Sequence, residues 1–420
     1  MKKQHLFVSL ATIAFVFLFS SCKKEAGSGK PTKTYTIYTP VYEDKAAVLG
    51  RINGSALEAV SHAGKIYIKD NYIFLNDVNK GIHVYDNSNP AAPRQIAFLA
   101  IPGNLDIAIK GNTLYADMYN DMLALDITNM RQARITKTIE NLFTGRSYVN
   151  GHSVNDNGKI AAAWLERDTT VEIDESQPFP NGCDFCAFDG GVVTMNAAGV
   201  KSSGTAGSMA GMVLMGDYMY AITEMHSVGI VDISNPSQPN VANNFFAGFD
   251  LETIFPFNGK IFLGSSVGMF MYDVTDPQNP VSLGEFTHGR ACDPVITDGQ
   301  YAYVTLHSGD GCGGESNELH VIDVRALPVS SLVKTYQLNK PTGLSKDGNL
   351  LFVCDNTEVK VYNATDPANL LLLKKIPAIE PYDVITVNNR AMVVCSNGLY
   401  QYDYSNLNNV RQLSFLPVKK

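Results

Sequence analysis

The sequence has little positive charge and no long run of Lys and Arg residues. Its 420 residues include 33 Lys and Arg against 41 Asp and Glu, which gives a formal net charge of −8. Nucleic-acid binding needs concentrated basic side chains that neutralise phosphates. We therefore expect no nucleic-acid partner.

Two familiar catalytic motifs are missing, and tryptophan is scarce. The sequence contains neither a His-Glu-x-x-His zinc motif nor a phosphate-binding P-loop. Trp164 is the single tryptophan beside 20 Tyr and 20 Phe residues. The composition allows an aromatic platform for sugars but does not specifically indicate one.

The apolar run from Leu6 to Phe19 is too short to cross a bilayer as a helix. It follows a basic start and precedes small residues and Cys22, which is the order found in lipoprotein signal peptides. We predict a signal peptide at 1–21 and acyl chains such as palmitate on Cys22. Several buried acyl chains would anchor the protein stably in a membrane.

The residues after Cys22 are polar and small, so we expect 22–58 to comprise a flexible tether and an N-terminal segment. Lys23 stands where an Asp would favour retention in the inner membrane. An outer-membrane lipoprotein of the cell envelope is therefore predicted. Both a periplasmic and a surface-exposed orientation remain open.

The chain repeats one phrase, typified by Gly229-Ile-Val-Asp-Ile-Ser-Asn-Pro236. Each copy contains an anchor Asp or Asn, and most anchors lie about 40 residues apart, a period typical of a β-propeller built from short strands. The anchors are Asp86, Asp126, Asn196, Asp232, Asp273, Asp323, Asn363 and Asp403. Asp and Asn cap turns through the backbone, and Pro is excluded from central strands, so we interpret the anchors as scaffold.

The repeats predict an all-β protein whose residues 59–420 form a single propeller of eight four-stranded blades. The units begin near Gly64, Asn104, Gly151, Gly211, Asp250, Cys292, Thr342 and Tyr382. The third unit is irregular because it carries a long insertion. Seven blades with a divergent appendage are the alternative.

The run at 229–236 resembles the bacterial LVIVD-repeat proteins, and the resemblance extends over about residues 60–415. It implies a β-propeller, commonly carried on a lipoprotein. This family has no shared, established reaction, so the resemblance assigns no catalytic residue.

An exported chain lies where disulfides can form. Cys292 and Cys312 are predicted on one face of the sixth unit, where a bridge between them is plausible. Cys354 and Cys395 occupy equivalent places in neighbouring units, too far apart for a disulfide, and are expected as buried free thiols.

The Cys183-Asp-Phe-Cys186 pair permits three interpretations. A structural disulfide is favoured, because the pair follows a Pro-rich stretch rather than the helix start that redox chemistry prefers. A metal site completed by His or carboxylate groups and a redox pair remain open.

The residues that open the inner strands form one pattern that the scaffold does not require. In chain order they are Lys65, Asp106, His152, Gly211, Glu252, Asp293, Gly343 and Asp383. Inner strands converge on the central channel of a propeller, so the carboxylates would surround its mouth. They could hold a ligand or a cation such as Ca²⁺, with His152 nearby. A polar residue at the start of a strand can also simply face solvent.

Two insertions, 168–190 and 307–317, should extend over the same face of the propeller. Loops on one end of a rigid scaffold often carry binding sites. We therefore expect a binding or interaction module with a glycan, peptide or protein ligand. A hydrolase or lyase that uses Asp106, Glu252, Asp293 and Asp383 as acid and base is the alternative.

Overall fold

The computed structural model describes residues 32–172, 205–291, 294–308 and 316–419. These residues fall into two compact units. The smaller unit includes 32–37 and 167–172, and the larger unit contains the other described residues. In the smaller unit the hydroxyls of Thr34 and Thr170 lie 2.9 Å apart, and Thr36 donates a 2.8 Å hydrogen bond to Asp168.

Most of the larger unit consists of seven antiparallel sheets, each built on four strands that follow one another in the chain; in sheet 1 a fifth, short strand, Thr205–Ala206, pairs with the first. Sheet 1 comprises Ala63–Lys69, Tyr72–Asp77, Gly81–Asp86 and Arg94–Ala100. Sheet 2 comprises Ile107–Lys110, Thr113–Met118, Asp121–Asp126 and Arg134–Ile139. Sheet 3 comprises Met212–Met215, Tyr218–Glu224, Ser227–Asp232 and Asn240–Phe246. Sheets 4 and 5 comprise Leu251–Phe257, Lys260–Ser265, Gly268–Asp273 and Val281–Thr287; and Val295–Thr297, Tyr301–Leu306, Glu318–Ala326 and Val329–Gln337. Sheets 6 and 7 comprise Pro341–Asp347, Leu350–Asp355, Glu358–Asn363 and Leu371–Pro377; and Pro381–Val387, Arg390–Cys395, Gly398–Asp403 and Arg411–Pro417. The predicted all-β class and the four-stranded repeat unit are confirmed.

Seven apolar clusters join these sheets, one for each pair of neighbours. The second and third strands are almost wholly buried, so both faces of a sheet are covered by its neighbours. One residue from each of the two sheets represents each cluster, starting with sheets 1 and 2 and ending with sheets 7 and 1. The pairs are Phe74 and Leu123, Tyr115 and Met219, Tyr220 and Leu263, Phe262 and Val304, Tyr303 and Leu351, Phe352 and Val393, and Leu75 and Met392. The last pair joins sheet 7 to sheet 1, so the packing of the sheets is cyclic.

The third predicted unit, which begins near Gly151, does not form a four-stranded sheet in the described part of the chain. Its residues make a hairpin of Tyr148–Val149 and His152–Ser153, and a strand Asn155–Asp156 beside Lys159–Glu172. The strand Lys159–Glu172 pairs with the N-terminal strand Thr32–Asp44. Because many of its residues beyond Ala162 are exposed, it lacks the two apolar faces of a sheet that packs between neighbours. The count of eight blades is not confirmed.

Part of the predicted tether has regular structure. The strand Thr32–Asp44 leads into a short helix, Lys45–Gly50, and the Asp44 carboxylate accepts a 2.9 Å hydrogen bond from the Ala47 N–H. Three short 3-10 helices occur at Met130–Gln132, Thr144–Arg146 and Leu407–Asn409. Among the described helices, none has the length and apolar character needed to span a membrane.

The anchor residues act as turn caps, as the sequence predicts. Each described anchor accepts a hydrogen bond of 2.8 to 3.0 Å from the backbone N–H two residues later. At Asp403 a hydrogen bond from the Ser405 hydroxyl, together with Arg411 and the Ser405 N–H, lowers the pKa of the carboxyl group to about 2. Asn196 lies outside the described residues.

Each of the seven fourth strands carries a bulge near its middle. Opposite the break between Ile230 and Val231 in sheet 3, for example, the fourth strand contains one extra residue, Ala242. Comparable register shifts occur between the third and fourth strands of the other six sheets. A bulge bends an exposed edge and makes it a poor template for a further strand.

The contact between sheets 1 and 7 closes the cycle without exchange of a strand. Asn87 and Gln401 are buried there and form two reciprocal amide hydrogen bonds of 3.0 and 2.9 Å. Asn87 is the residue that follows the anchor Asp86 in sheet 1. In sheets 2 to 5 the residue after the anchor is apolar instead: Ile127, Ile233, Val274 and Val324. The Lys419 N–H also donates a 2.8 Å bond to the Val60 carbonyl.

The closing amide pair gives a prediction about stability. Asn87→Leu or Gln401→Met leaves one buried amide without its partner and should lower the free energy of unfolding by about 1 to 3 kcal/mol. The double variant removes both groups, so its loss should be smaller than the sum of the two single losses by about 1 kcal/mol. Urea unfolding of the four proteins tests the coupling, and strictly additive losses would contradict it.

Candidate functional site

A segment that we call the inner strap, Thr205–Gly211, lies along the first strands of the sheets. Its start pairs with the first strand of sheet 1, where Thr205 is opposite Ile68 and Ala206 is opposite Tyr67. Its residues Ser208, Met209 and Ala210 are almost completely buried. The strap therefore covers the inner edge of sheet 1.

The inner strap is bonded to four further sheets. The Ser208 hydroxyl donates to Asp383 of sheet 7 at 2.9 Å and accepts from the Leu344 N–H of sheet 6 at 2.8 Å. The Ala210 carbonyl accepts from the Ile254 N–H of sheet 4 at 3.0 Å. The Gly211 N–H donates to Asp106, beside sheet 2, at 2.6 Å. Hydrogen bonds from so many sheets require the strap to cross the centre of the larger unit.

A buried ion pair lies beside the strap. Lys65 donates to Asp106 at 2.8 Å, and both residues are only 7% exposed. Burial lowers the pKa of Lys65, while the nearby Asp106 carboxylate opposes that shift. Because Asp106 also accepts the Gly211 N–H, its carboxylate links sheets 1 and 2 to the strap.

A second carboxylate, Asp117, supports this pair. It accepts hydrogen bonds from the Asp106 N–H at 2.7 Å, from the Asn104 amide at 2.8 Å and from the Arg146 guanidinium. Arg146 also donates to the Gly103 carbonyl, and burial lowers its pKa to about 10. The charges near sheet 2 are therefore satisfied within the protein.

Asp383 is the most strongly perturbed acid of the inner edge. Its Oδ1 accepts from the Ser208 N–H and hydroxyl and from the Val384 N–H, at 2.9 to 3.2 Å. Its Oδ2 is buried and has no hydrogen-bond partner within the part of the chain that the structure describes. Burial raises the pKa of Asp383 to about 7, although the bonds from Ser208 and the charge of Lys65 oppose the rise. A Cβ atom on Gly207 would overlap Oδ2, so a larger residue does not fit there.

The predicted ring of strand-opening residues is only partly assembled. Lys65, Asp106, Gly211, Gly343 and Asp383 meet around the strap. Glu252 is half-buried in the first strand of sheet 4. His152 instead lies in the short hairpin, exposed, with its ring 6.1 Å from that of Trp164, because the third unit forms no inner strand. Asp293 lies outside the described residues.

The residues of this ring fit the predicted cation poorly. Asp106 already faces an ammonium group and two N–H donors, which disfavours a Ca²⁺ ion beside it. Across the described ranges, no three His, Cys, Asp or Glu side chains are grouped so that they could hold a metal ion. The Ca²⁺ site stays a prediction.

The cysteine predictions have separate outcomes. Cys354 and Cys395 are buried and free, as predicted, and burial raises the pKa of both thiols. Cys22, Cys183, Cys186, Cys292 and Cys312 lie outside the described residues, as do most of the two insertions.

We call one edge of the sheets the loop edge: it carries the turns between second and third strands and the connections from one sheet to the next. An exposed aromatic cluster lies at the loop edge of sheets 3 and 4. The cluster comprises His226, Phe246 and Phe249, with Met225 beside it in the chain. Phe246 and Phe249 are 58% and 57% exposed, although their ring centroids are 5.2 Å apart. His226 lies 5.4 Å from Phe249 and 6.3 Å from Phe246. Large exposed apolar groups that touch one another mark interaction sites more often than isolated ones do.

Sequence reasoning missed this cluster and the buried carboxylates Asp77, Asp117 and Asp355. Each of these acids is near the end of a second strand and accepts backbone N–H groups from the segment before its own sheet. Their recurrence at one point of the repeat was the available signal.

The segment Gly264-Ser-Ser-Val-Gly268 fits the sequence pattern of a hydrolase nucleophile. Ser266, however, lies in a hairpin turn, and its hydroxyl donates a 3.2 Å hydrogen bond to Asp250.

A groove of about 380 Å³ opens where sheets 1 and 7 meet. Tyr85, Gln95, Leu416 and Lys419 line it together with residues 57–60. Its walls belong to the segments that close the cycle of sheets.

A family model for the LVIVD repeat matches residues 61–97 and 206–246. The chain carries LVIVD repeats. The first match spans most of sheet 1, and the second spans nearly all of the inner strap with sheet 3, so one repeat corresponds to one four-stranded sheet. Comparison with curated protein sequences finds no match.

The chain is similar in structure to solved proteins of low sequence identity, among them a β-propeller gluconolactonase. A protein from Lactobacillus plantarum is 12% identical, with a TM-score of 0.54 over 84% of this chain and 96% of that chain. The periplasmic gluconolactonase PpgL from Pseudomonas aeruginosa is also 12% identical, with a TM-score of 0.51 over 84% and 96%. The computationally designed protein Ika8 is 11% identical, with a TM-score of 0.51 over 87% and 92%. At these identities the likeness concerns the fold alone, and it confirms the predicted β-propeller.

Asp383 gives a pH-dependent prediction. Its folded-state pKa of about 7 lies above the ordinary value of 3.8, so ionisation is more costly in the folded state than in the unfolded state. Its contribution to stability should be greatest below about pH 4 and decline as pH rises to about 7, by at most about 4 kcal/mol. Asp383→Asn cannot ionise and should lack this decline.

Urea unfolding between pH 4 and 8 tests this expectation. The stability of the Asp383→Asn variant relative to the wild type should increase with pH up to about 7 and then level off. Asp126→Asn is the matched control, because hydrogen bonds from Thr128 lower the pKa of Asp126 and move its ionisation to more acidic pH. Parallel curves for the wild type and Asp383→Asn would show that burial of the carboxylate has no such cost.

Proposed function

We propose that this chain is a seven-bladed LVIVD-repeat propeller of the cell envelope that acts as a binding module. The loop edge would be its recognition surface, and a lipid on Cys22 would hold it at the outer membrane. The observation that carries the proposal is the exposed cluster of His226, Phe246 and Phe249 at that edge. The seven four-stranded sheets and their seven apolar clusters support the blade count.

The interior offers less to a ligand than the loop edge does. The inner strap covers the start of the first strands, and Ser208 and Ala210 are almost inaccessible to solvent. Asp106 and Asp117 are already bonded to basic side chains of the protein. Of the residues of the enzymatic alternative, Asp106 would first have to break its bond to Lys65 before it could act as acid or base, so that alternative has weaker support.

The anchor gives a direct prediction. Cys22→Ala removes the thiol that would receive the lipid, so the protein should move from the membrane fraction to the soluble fraction of the cell envelope. Lys24→Ala is the matched control and should remain in the membrane fraction. If Cys22→Ala stays with the membrane after a high-salt wash, the lipid anchor is not what holds the protein.

Photo-crosslinking in the native host tests the recognition surface. A photoreactive phenylalanine analogue is placed at Phe249 or Ile379, both exposed at the loop edge, or at Asn112 or Thr365 at the opposite edge. Crosslinked products should form from the loop-edge positions and be much weaker from the opposite edge. Equal crosslinking from both edges, or products from the opposite edge alone, would contradict the proposal.

A further inference from the structure

We infer that Met225, His226, Phe246 and Phe249 form a notch that binds an apolar side chain of an extended polypeptide, next to a basic side chain of the same ligand. This inference rests on the proposed binding function, because it specifies what the loop edge would recognise. It goes beyond that function by naming the site and the chemistry of the partner.

The repeat does not need aromatic residues at these positions. Phe246 ends the fourth strand and pairs with Ser227, and the same place in other sheets holds Ala100, Thr287, Gln337, Pro377 or Pro417. Phe249 precedes a first strand by two residues, where sheets 6 and 7 have Asn339 and Ile379. The other sheets form the same strands without these rings, so the two exposed phenylalanines have no evident role in the scaffold.

The angles between the rings favour an apolar side chain over a sugar. Phe246 and Phe249 are inclined at 75°, and His226 and Phe249 at 68°. A sugar stacks on the flat face of a ring, and a platform for several sugars needs rings that share a plane. Inclined rings present edges as well as faces to an apolar group beside them, and the flexible thioether of Met225, 54% exposed, can adapt to such a group.

The notch is held rigidly by the backbone around it. The turn at Met225 and His226 accepts the Leu251 N–H at 2.7 Å and the Ala247 N–H at 2.8 Å. Gly248 and Asp250 both have positive φ, and a Cβ on Gly248 would overlap the ring of Phe270. A preformed recess loses little entropy on binding, which favours affinity.

The charges at the rim favour a basic neighbour in the ligand. Glu224 precedes Met225 and is exposed, and Asp250 follows Phe249. Asp250 lies 3.8 Å from the exposed side chain of Arg290, and Thr144 donates to Glu224. With a net charge of −8 on the whole chain, a Lys or Arg beside the apolar residue is complementary to this rim.

Peptide selection tests the inference. The full chain, purified from membranes in detergent, is immobilised and exposed to a phage library of random peptides. Selected peptides should contain Leu, Met or Phe next to Lys or Arg. Their affinity should fall at least about tenfold in Phe249→Ser, a loss typical of a central apolar contact. Glu224→Gln should weaken binding a few-fold and reduce its dependence on salt.

Val281→Ser is the matched control, because Val281 is 62% exposed on the fourth strand of sheet 4, away from the notch. It should bind the selected peptides as the wild type does, and all variants should keep the wild-type melting temperature. The inference is overturned if no peptide is selected, if Phe249→Ser selects the same peptides with unchanged affinity, or if a glycan array gives ligands that depend on Phe249. Each of these outcomes leaves the crosslinking test of the loop edge intact, so failure of the peptide ligand and failure of the binding function can be distinguished.

Discussion

The larger unit depends on one constraint: each of its sheets has two apolar faces, and each face must be covered by another sheet. A linear stack would leave two faces in water at its ends. Burial of apolar surface contributes about 25 cal/mol per Å², so uncovered end faces would be costly. The cyclic packing removes the ends, and the last cluster, which contains Leu75 and Met392, closes it.

Closure depends on contacts that the repeat does not contain. Sheets 1 and 7 are each made of consecutive strands, so no strand is exchanged across the junction. The amide pair of Asn87 and Gln401 fixes the register there, at a position that is apolar in sheets 2 to 5. The inner strap adds a second connection, because its hydrogen bonds reach sheets 1, 2, 4, 6 and 7. The polar residues of the inner edge satisfy one another through this strap.

Because the faces and the described inner edge are used for packing, the turns and connections at the two edges are where the sheets can differ freely. The edge with the repeated phrase is uniform, since each described anchor caps its own turn. The loop edge varies from sheet to sheet, and the cluster around Phe249 belongs to that variation. A rigid scaffold with one variable edge separates stability from recognition, and on this basis we propose the loop edge as the binding site.

The sequence by itself determined the strand-rich repeat, the turn-capping role of the anchors and the burial of Cys354 and Cys395. These features depend on local residue patterns: alternation of apolar side chains, Asp before Ser or Thr, and Pro at turns. It also predicted that Asp106 and Asp383 lie at the inner edge, because the register of each unit is local. The number of four-stranded sheets was not accessible in this way, since periodicity locates strands but not their partners.

Only the tertiary structure decided that Lys159–Glu172 pairs with the N-terminal strand rather than forming another repeat unit. It also decided that Asp106 contacts Lys65 and Gly211, which are 41 and 105 residues away in the chain. The inner strap acquires its role through contacts with distant sheets. Phe246 and Phe249 are ordinary apolar residues in the sequence, and their exposure follows from their place at the loop edge. Pairing and exposure depend on which segments meet in space, and residue patterns within one segment do not carry that information.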